Sequence, residues 1–318
     1  MTTPLKLGVV MDPISQIKPY KDTSFALLLA AQARGWSVYY LEPDWLYAER
    51  GRAKSRAHRI RVFDRREQWF ALEAAESLDL ATFDILIQRQ DPPVDVNYHS
   101  VTALLALAEQ TGVLVANRPN ALRAANEKLL AQEFPNLCPP TLVTRDAGQI
   151  RQFLAEQGHI VLKPLDAMGG SSVFQIKAGD LNTEVIIETM THQGLIMAQA
   201  FLPAVREGDR RILLINGEPV DHALLRTPQD TDFRANLAAG GRGTVVPLRP
   251  RDREIAAVVG STLAARGFWF VGLDVIGEHL TEINVTSPTC AREIDAVCHN
   301  DPAGQFLDFL AATRRGRP

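Results

Sequence analysis

The sequence predicts an α/β domain with a parallel sheet, followed by a mixed α+β region that ends in antiparallel hairpins. Over residues 1–120, strand-like and helix-like segments alternate, at the spacing typical of parallel sheets built from βαβ units. After Pro119 this alternation stops, and three prolines interrupt the chain between residues 135 and 140. Further on, two apolar runs flank Asn216-Gly217, a dipeptide typical of a β-hairpin turn.

The α/β region is predicted from short apolar runs that alternate with helical periods. Asp22 is a good helix N-cap and Gly35 a good helix terminator, so they bound the first helix. Gly112 ends the second helix in the same way. The predicted strands are 5–11, 37–41, 84–88 and 113–116, and the predicted helices are 23–34 and 98–111.

Two loops in this region are candidate substrate contacts, residues 11–15 and 89–93. Both follow predicted strands, and ligands of parallel sheets lie beyond the carboxyl ends of strands. Each loop contains Asp-Pro, so ordinary turn chemistry is the alternative explanation.

A basic segment over residues 49–66 carries eight Lys or Arg and two acids. Residues 57–63 within it alternate polar and apolar side chains. We interpret it as a solvated edge hairpin, in which arginines resist aggregation, in preference to a nucleic-acid surface.

The second region is predicted from the same signals. Its predicted strands are 141–143, 160–163, 173–177 and 195–199, the hairpin strands are 209–216 and 219–227, and the helices are 120–133, 146–157, 181–192 and 251–266, with another toward the C-terminus.

Composition excludes several classes of protein. The net charge of −3 and the pI of about 6.2 indicate no general attraction to nucleic acid or to an anionic membrane. The apolar run at the N-terminus is short and interrupted by Lys6, so we expect a first strand instead of a signal or membrane segment. The three cysteines, Cys138, Cys290 and Cys298, form no Cys-x-x-Cys pair. They indicate a reduced, cytoplasmic protein.

Residues 272–289 contain the most informative pattern. Side chains of a strand alternate between faces, so Glu282 and Asn284 share one face. A three-residue loop at 277–279 would place Asp274 opposite Glu282 and collect the aliphatic residues on the other face. Carboxylate and amide oxygens suit Mg²⁺ or Mn²⁺. The alternative is an amphipathic hairpin that shows its acids to water.

A glycine-rich loop supplies a candidate anion site. Gly169, Gly170 and Ser171 lie between two predicted strands, and Lys163 ends the first of them. Backbone N–H groups of consecutive glycines and a nearby lysine suit a phosphate. The chain has no Gly-x-x-x-x-Gly-Lys-Ser/Thr motif, and a plain Gly-Gly turn remains the alternative.

A second glycine-rich loop, residues 236–243, follows Arg226 and Arg234. Its small residues are typical of a mobile lid, and arginine suits bidentate contacts with phosphate or carboxylate. A surface loop is the alternative. In the strand before it, Arg210 and Arg211 are adjacent, so at most one of them faces a ligand.

Together these parts indicate a site for polyphosphate transfer. Lys128, Lys163, the Gly169-Gly170 loop, Arg211 and Arg226 would neutralise phosphate charge, and the acidic hairpin would hold the metal. The seven histidines are scattered, and none has the spacing of a metal ligand.

Over nearly its whole length, the chain resembles the bacterial glutathione synthetase family of the ATP-grasp superfamily. The motifs that carry the resemblance are Leu7-Gly8-Val9-Val10-Met11-Asp12-Pro13, Asp91-Pro92-Pro93, Asn126-Glu127-Lys128-Leu129, Leu162-Lys163-Pro164-Leu165-Asp166, Met168-Gly169-Gly170, residues 236–243 and residues 280–289. The resemblance implies an ATP-grasp fold preceded by an N-terminal α/β domain. We expect a substrate-binding domain at 1–122, a central ATP-grasp subdomain at 123–200 and a C-terminal subdomain at 201–318.

The resemblance also implies ATP-dependent ligation of γ-glutamylcysteine with glycine through an acyl phosphate. Lys128 and Lys163 would hold the ATP phosphates, Gln199, Ala200, Phe201 and Leu202 would form a hinge against adenine, and Asp209 would lie near the ribose. Glu282, Asn284 and Asp274 would bind two Mg²⁺ or Mn²⁺ ions. Arg211, Arg226 and Arg234 would stabilise the transferring phosphoryl group, and Asn236, Gly240 and Gly241 would belong to the lid that excludes water.

The family implies a homotetramer, and the charge and cysteine content predict a cytoplasmic protein with no nucleic-acid or membrane partner. Two alternatives remain open at this stage. Another ligase of the same fold, such as a D-alanine–D-alanine ligase or a glutamate-adding ligase, would share the ATP half. A non-catalytic ATP-binding protein, similar to the synapsins, would lack the full set of metal ligands and arginines.

Overall fold

The computed structural model describes residues 4–166, 168–229, 234–235 and 240–316. Within these residues the chain forms three sheets, of seven, four and five strands. None of the helices in the described residues is both long and apolar enough to span a bilayer.

The first sheet confirms the predicted α/β region. Four parallel strands in the order β2-β1-β6-β7 form its centre, and three antiparallel strands extend it beyond β2. The strands are β1 (Lys6–Met11), β2 (Ser37–Leu41), β3 (Leu46–Glu49), β4 (Arg52–Val62), β5 (Phe70–Asp79), β6 (Ile85–Arg89) and β7 (Leu114–Ala116), with helices α1 (Thr23–Ala33) and α2 (Val96–Gln110). The Asp22 side chain caps α1 by accepting a hydrogen bond from the N–H of Phe25 at 2.6 Å, as predicted.

The predicted helix over 120–133 is wrong in one respect, because it is two short helices. They are α3 (Pro119–Ala124) and α4 (Glu127–Ala131). Ala125 is extended, and the Asn126 side chain accepts hydrogen bonds from the N–H groups of Lys128 and Leu129, each at 3.1 Å. This new N-cap restarts the helix and places Lys128 in its first turn.

The second sheet is antiparallel, in the order β10-β9-β11-β8. Its elements agree with the predicted ones to within two residues at each end. They are β8 (Thr141–Thr144), β9 (His159–Pro164), β10 (Phe174–Lys177) and β11 (Ile196–Ala200), with helices α5 (Ala147–Gln157) and α6 (Thr183–Gln193). Gly169 and Gly170 lie in the connection between β9 and β10.

The third sheet has the order β14-β13-β12-β15-β16. Its elements are β12 (Asp209–Ile215), β13 (Glu218–Thr227), β14 (Arg242–Pro247), β15 (Phe270–Ile276) and β16 (His279–Asn284), with helices α7 (Pro250–Arg266), α8 (Ala291–Cys298) and α9 (Pro302–Arg315). The sequence did not predict β14. The predicted lid loop includes the first two residues of β14, but they pair with Thr227 and Arg226.

The β15–β16 hairpin corrects the predicted turn. Asp274 does pair with Glu282, but the loop has two residues, and a β-bulge lies between that pair and the Val275–Leu280 pair. Without the bulge, alternation would turn Thr281 toward the core and Leu280 away from it. With the bulge, Leu280 is fully buried, and the Thr281 hydroxyl donates a hydrogen bond to the carbonyl of Asp274 at 3.1 Å. Burial of Leu280 therefore explains the bulge.

The first and third sheets are joined by packing between the two ends of the chain. Helix α9 packs on α1 and on β12, and the buried residues Phe306, Leu307 and Leu310 share one apolar cluster with Phe25 and Leu28. A second cluster lies between α7 and the inner face of the third sheet. Strands β12 and β15 contribute to both clusters, and β16 packs on the second cluster alone.

Candidate active site

Three cavities meet where the second and third sheets face each other. The first cavity is bounded by the β9–β10 connection, the end of β11 and the polar face of the third sheet. Most of the predicted site residues line it: Lys128, Lys163, Gly169, Gly170, Ser171, Gln199, Ala200, Phe201, Leu202, Asp209, Arg234, Asp274 and Glu282. The second cavity adjoins it and is lined by Arg211, Arg226, Glu282 and Asn284.

A third cavity lies beside α3 and α4, and residues of the Asn126-Glu127-Lys128 motif line it. Lys128 lines the first cavity as well, and Glu127 lines the second. Residues at the start of α4 therefore separate the three cavities.

Two lysines form the cationic side of the first cavity. Nζ of Lys163 donates a hydrogen bond to Oε1 of Gln199 at 2.8 Å, and Nε2 of Gln199 donates to Thr141 at 3.1 Å. Nζ of Lys128 lies 3.2 Å from Oε1 of Glu282. Burial lowers the pKa of Lys163, with Glu282 opposing that effect. The cavity therefore brings two lysines near one carboxylate, and an incoming phosphate would share them.

Buried arginines and carboxylates form a network on the polar face of the third sheet. The pairing of β12 with β15 places Arg211 opposite Asp274. Nε of Arg211 lies 2.6 Å from Oδ1 of Asp274, and Nη2 lies 3.1 Å from Oδ2. Arg226 contacts the same Oδ1 at 2.9 Å and also forms an ion pair with Asp209. Arg210, on the other face of β12, pairs with Asp252 instead, as strand alternation predicted.

The two aspartates of this network have opposite pKa shifts. Burial raises the pKa of Asp209 to about 6, because the nearby Arg226 offsets burial only in part. Burial also opposes ionisation of Asp274, but Arg211 and Arg226 outweigh it and hold the pKa of Asp274 below its usual range. Oδ1 of Asp209 and Nε of Arg226 have no hydrogen-bond partner among the described residues.

The hairpin offers two oxygen-bearing side chains to a metal ion. Nδ2 of Asn284 donates to Oδ2 of Asp274 at 3.2 Å, which directs the other end of that amide away from the arginine network. Asp274 has both oxygens engaged by arginines. In the described part of the chain, no three His, Cys, Asp or Glu side chains are grouped at metal-binding distance. Glu282 and Asn284 fit a Mg²⁺ ion that takes further ligands from phosphates.

The predicted lid is described only in part. Asn236 lies outside the described residues. Gly240 has φ +97°, and its carbonyl accepts a hydrogen bond from Nε2 of Gln229 at 2.6 Å. Gly240 and Gly241 do not line the first two cavities. Nη1 of Arg234 donates to the carbonyl of Gly170 at 3.0 Å, so this arginine contacts the glycine-rich loop between β9 and β10.

The two loops predicted as substrate contacts meet at this site. The N–H of Asp91 donates to Oδ2 of Asp12 at 2.8 Å, and the Ser287 hydroxyl donates to Asp91. Asp91 lines the second cavity together with Ser287. The first sheet therefore contributes to the site through these loops.

Sequence reasoning missed Glu127, which it quoted only within a motif. Oε1 of Glu127 accepts hydrogen bonds from the N–H of Val285 at 2.7 Å, the N–H of Thr286 at 3.0 Å and the Thr286 hydroxyl at 2.9 Å. Burial and the nearby Glu282 raise the pKa of Glu127. The only signal in the sequence is its place beside Lys128.

Two family models match this chain. The model described as the N-terminal domain of prokaryotic glutathione synthetase matches residues 5–123, and that described as the ATP-grasp domain of prokaryotic glutathione synthetase matches residues 127–299. A protein of Pseudomonas putida named glutathione synthetase is 52% identical over 315 residues, covering 98% of this chain and 99% of its own. A protein of the same name from Escherichia coli O157:H7 is 47% identical over 310 residues, covering 97% of this chain and 98% of its own.

Solved structures with a similar fold include D-cycloserine synthetase DcsG, with a TM-score of 0.68 and 14% identity over 97% of this chain and 99% of that one. The ATP-grasp ligase PsnB in complex with its minimal precursor has a TM-score of 0.64 and 17% identity, over the same shares of the two chains. At such identities these structures show a shared fold alone.

Proposed function

Because this chain belongs to the prokaryotic glutathione synthetase family, we infer that it is an ATP-dependent ligase that forms glutathione from γ-glutamylcysteine and glycine. Its fold is the ATP-grasp fold with an N-terminal domain, as the resemblance implied. The observation that carries the inference is the identity of about one half with proteins named glutathione synthetase over nearly the full length of the chain.

The first cavity suits ATP. We propose that Gln199, Ala200, Phe201 and Leu202 contact adenine, that Asp209 lies near the ribose, and that Lys128, Lys163, Gly169, Gly170 and Ser171 hold the phosphates. The support is that all of these side chains or backbone groups line one cavity. The buried lysines would gain a strong partner in the phosphates, since charge-assisted hydrogen bonds are stronger where water is excluded.

The second cavity suits the acyl substrate. In the proposed reaction the γ-phosphoryl group of ATP passes to the cysteinyl carboxylate of γ-glutamylcysteine, the amine of glycine attacks the acyl carbon, and phosphate leaves as the amine loses a proton. Arg211 and Arg226 line this cavity, and Arg234 lines the adjoining first cavity, where it donates to the carbonyl of Gly170. Fixed cations at that place stabilise the charge that spreads over the transferring group.

Glu282 and Asn284 are the proposed ligands of Mg²⁺ or Mn²⁺, and such an ion neutralises phosphate charge when bound. Asp274 was predicted as a further ligand, and its oxygens are held by Arg211 and Arg226. We propose that it joins the metal site only when a phosphoryl group takes over one of these arginines. We propose that two such ions bind, as the family resemblance implies.

The lid residues Asn236, Gly240 and Gly241 are proposed to exclude water from the acyl phosphate, which water would otherwise hydrolyse. A homotetramer in the cytoplasm is proposed from the family resemblance, and sedimentation of the purified protein tests its assembly.

An ADP-release assay tests the proposed function. With γ-glutamylcysteine and ATP, glycine should give one glutathione for each ADP. Reactions in which D-alanine or glutamate replaces γ-glutamylcysteine or glycine should give little product. Strong activity with a D-alanine pair, and none with γ-glutamylcysteine, would assign the chain to another ligase of this fold.

A further inference from the structure

A histidine outside the three cavities is stacked on one of the proposed adenine contacts. Strand β9 begins at His159, and its pairing with β11 places Ile160 opposite Ala200. The next pair along, His159 and Phe201, therefore lies side by side. Their ring centroids are 3.9 Å apart and their planes differ by 17°. The N–H of Phe201 also donates to the carbonyl of His159 at 3.0 Å.

Phe201 connects this histidine to the first cavity. Phe201 lines that cavity together with its neighbours Ala200 and Leu202, whereas His159 does not line it. His159 can therefore act on a nucleotide only through Phe201. A ring that is already held in place loses less conformational freedom when a ligand packs on it, so support from His159 favours binding.

The surroundings of His159 suit a neutral ring. Its Nε2 is buried and has no hydrogen-bond partner in the part of the chain that the structure describes. Burial lowers the pKa of His159, Lys177 lowers it further, and the Gln175 side chain opposes both effects. Lys177 is the cross-strand neighbour of His159 on β10. The ring is therefore neutral near pH 7 and packs on Phe201 as one aromatic ring on another.

A proton on His159 would disturb this arrangement. The imidazolium would carry a buried N–H group without an acceptor, and it would lie near the ammonium group of Lys177. Burying a charge without a partner is costly, so the charged ring should turn toward water. Phe201 would then lose the ring that packs against it.

We propose that His159 is a positioning residue for the nucleotide. Its neutral ring holds Phe201 against the adenine, and its protonation withdraws this support and weakens ATP binding. The inference rests on the proposed function, since it takes the first cavity to be the ATP site. It adds a dependence on pH that comes from a residue outside the cavity.

The test measures the Kd for ATP by titration calorimetry of the full chain with Mg²⁺ and no other substrate, from pH 5 to 7.5. His159→Ala loses the stacked ring and should raise the Kd at pH 7.5 about threefold to tenfold. His159→Phe keeps a flat ring that cannot take a proton, so it should match wild type at pH 7.5. The ratio of the wild-type Kd to the His159→Phe Kd should rise about threefold or more by pH 5.

This ratio isolates His159 from other groups that titrate. ATP itself is common to both measurements, and Asp209, which lines the same cavity, is present in both proteins. Lys177→Gln removes the neighbouring charge, so it should move the rise in Kd to higher pH and leave the Kd at pH 7.5 unchanged. His192→Ala is the matched control, because His192 is exposed at the end of α6, and it should follow wild type at every pH.

A double variant tests whether His159 acts through Phe201. In a Phe201→Ala protein, His159→Ala should have no further effect on the Kd, because the effects of two residues in contact are not additive. Circular dichroism at each pH shows that the proteins are folded, and His159→Phe carries the test if His159→Ala does not fold.

Two results would overturn the inference. One is a Kd in folded His159→Ala equal to that of wild type at pH 7.5. The other is a ratio of wild-type Kd to His159→Phe Kd that stays constant or falls in acid, since a fall would mean that the imidazolium stays on Phe201 through a cation–π contact. A wild-type protein that does not bind ATP at pH 7.5 contradicts the proposed function itself.

Discussion

Two clusters of arginines and buried aspartates lie on opposite faces of strand β12. On the cavity side of β12, Arg211 and Arg226 hold Asp274 and Asp209. On the α7 side, Arg210 and Arg249 hold Asp252. The residue types are the same, and Arg210 and Arg211 are neighbours in sequence, so the comparison isolates what surrounds each cluster.

The α7-side cluster is satisfied by the protein alone. Oδ2 of Asp252 accepts from Nε of Arg210 at 2.8 Å and from the N–H of Arg249 at 2.9 Å, and Oδ1 accepts from Nη2 of Arg249 at 2.9 Å. Nη2 of Arg210 donates to the carbonyl of Pro247 at 2.7 Å. In the cavity-side cluster, by contrast, an oxygen of Asp209 and a nitrogen of Arg226 lack partners among the described residues. A buried polar group without a partner costs free energy, so these two groups of the cavity-side cluster are available to pair with a ligand.

The first prediction changes one arginine in each cluster. Arg211→Met should lower kcat/KM by about 10²–10³, because it removes a fixed cation from the transferring group. Arg210→Met should lower the free energy of unfolding by about 3 kcal/mol, because it breaks a buried pair, and should leave kcat/KM of the folded protein nearly unchanged. Urea unfolding and steady-state kinetics on both variants measure this. Equal losses of kcat/KM would remove the distinction between the clusters.

The second prediction extends the comparison to the lysines. Lys163→Ala should cost about 2–4 kcal/mol of ATP binding or transition-state stabilisation, since a buried cation is removed from the phosphates. Lys177, exposed on the neighbouring strand β10, provides the control Lys177→Ala. Titration calorimetry with ATP and the turnover rate are the measurements, and unchanged values for both in Lys163→Ala would contradict the role.

The third prediction concerns the carboxylate beside the cavity-side cluster. Glu282→Gln should raise the Mg²⁺ concentration for half-maximal activity about tenfold, because the ligand loses its charge. Binding of Mn²⁺ to the nucleotide complex, followed by electron paramagnetic resonance, should weaken in parallel. Glu278→Gln, in the turn of the same hairpin, should change neither measurement. Wild-type turnover of Glu282→Gln at low Mg²⁺ would refute the metal assignment.

The fourth prediction concerns stability alone and uses pH. The pKa of Asp209 is about 6 in the folded protein, against about 3.9 in an unfolded chain. The folded state therefore binds the extra proton between about pH 4 and 6. This residue's contribution to the free energy of unfolding is present below pH 4 and is lost as pH rises through 6, by about 3 kcal/mol. For Asp252, burial raises the pKa, but Arg249 and Arg210 outweigh it and lower the pKa.

The contribution of Asp252 therefore has the opposite sign, since it is present above pH 4 and is lost as pH falls. Unfolding free energies from pH 3.5 to 7 for wild type, Asp209→Asn and Asp252→Asn test both slopes. In the Asp209→Asn protein, the free energy of unfolding should no longer fall between pH 4 and 6. If it falls as steeply as in the wild type, another group titrates in that range.

The sequence was enough to predict features that depend on neighbours in the chain. Strand alternation separated Arg210 from Arg211, and the hydrophobic pattern placed Asp274 opposite Glu282. It could not show that arginines occupy the oxygens of Asp274, because this depends on the pairing of β12 with β15 across about 60 residues of chain. Strand β5 was missed because its Ala, Glu and Leu residues favour a helix, and pairing with β4 overrides that preference.

The candidate site also divides into residues that local sequence predicted and residues that depend on contacts far along the chain. The glycine loop, the lysines and the hinge residues were predicted from local motifs and a family resemblance, and the structure gathers them around one cavity. Glu127 was not predicted as a site residue, because its importance comes from contacts with Val285 and Thr286, far along the chain. The domain boundaries and the individual roles of the residues stay predictions.

The bulge in the β15–β16 hairpin lets Leu280 be buried in the core while its neighbour Thr281 lines the first cavity. If Thr281 were deleted, the pairs Asp274–Glu282 and Val275–Leu280 would follow each other in regular register, and Leu280 would still face the core. The burial of Leu280 therefore does not depend on Thr281. The first cavity does depend on it, because Thr281 is part of its lining. We expect that variation in length at this position among related chains changes the shape of the candidate site and leaves the apolar face of the hairpin as it is.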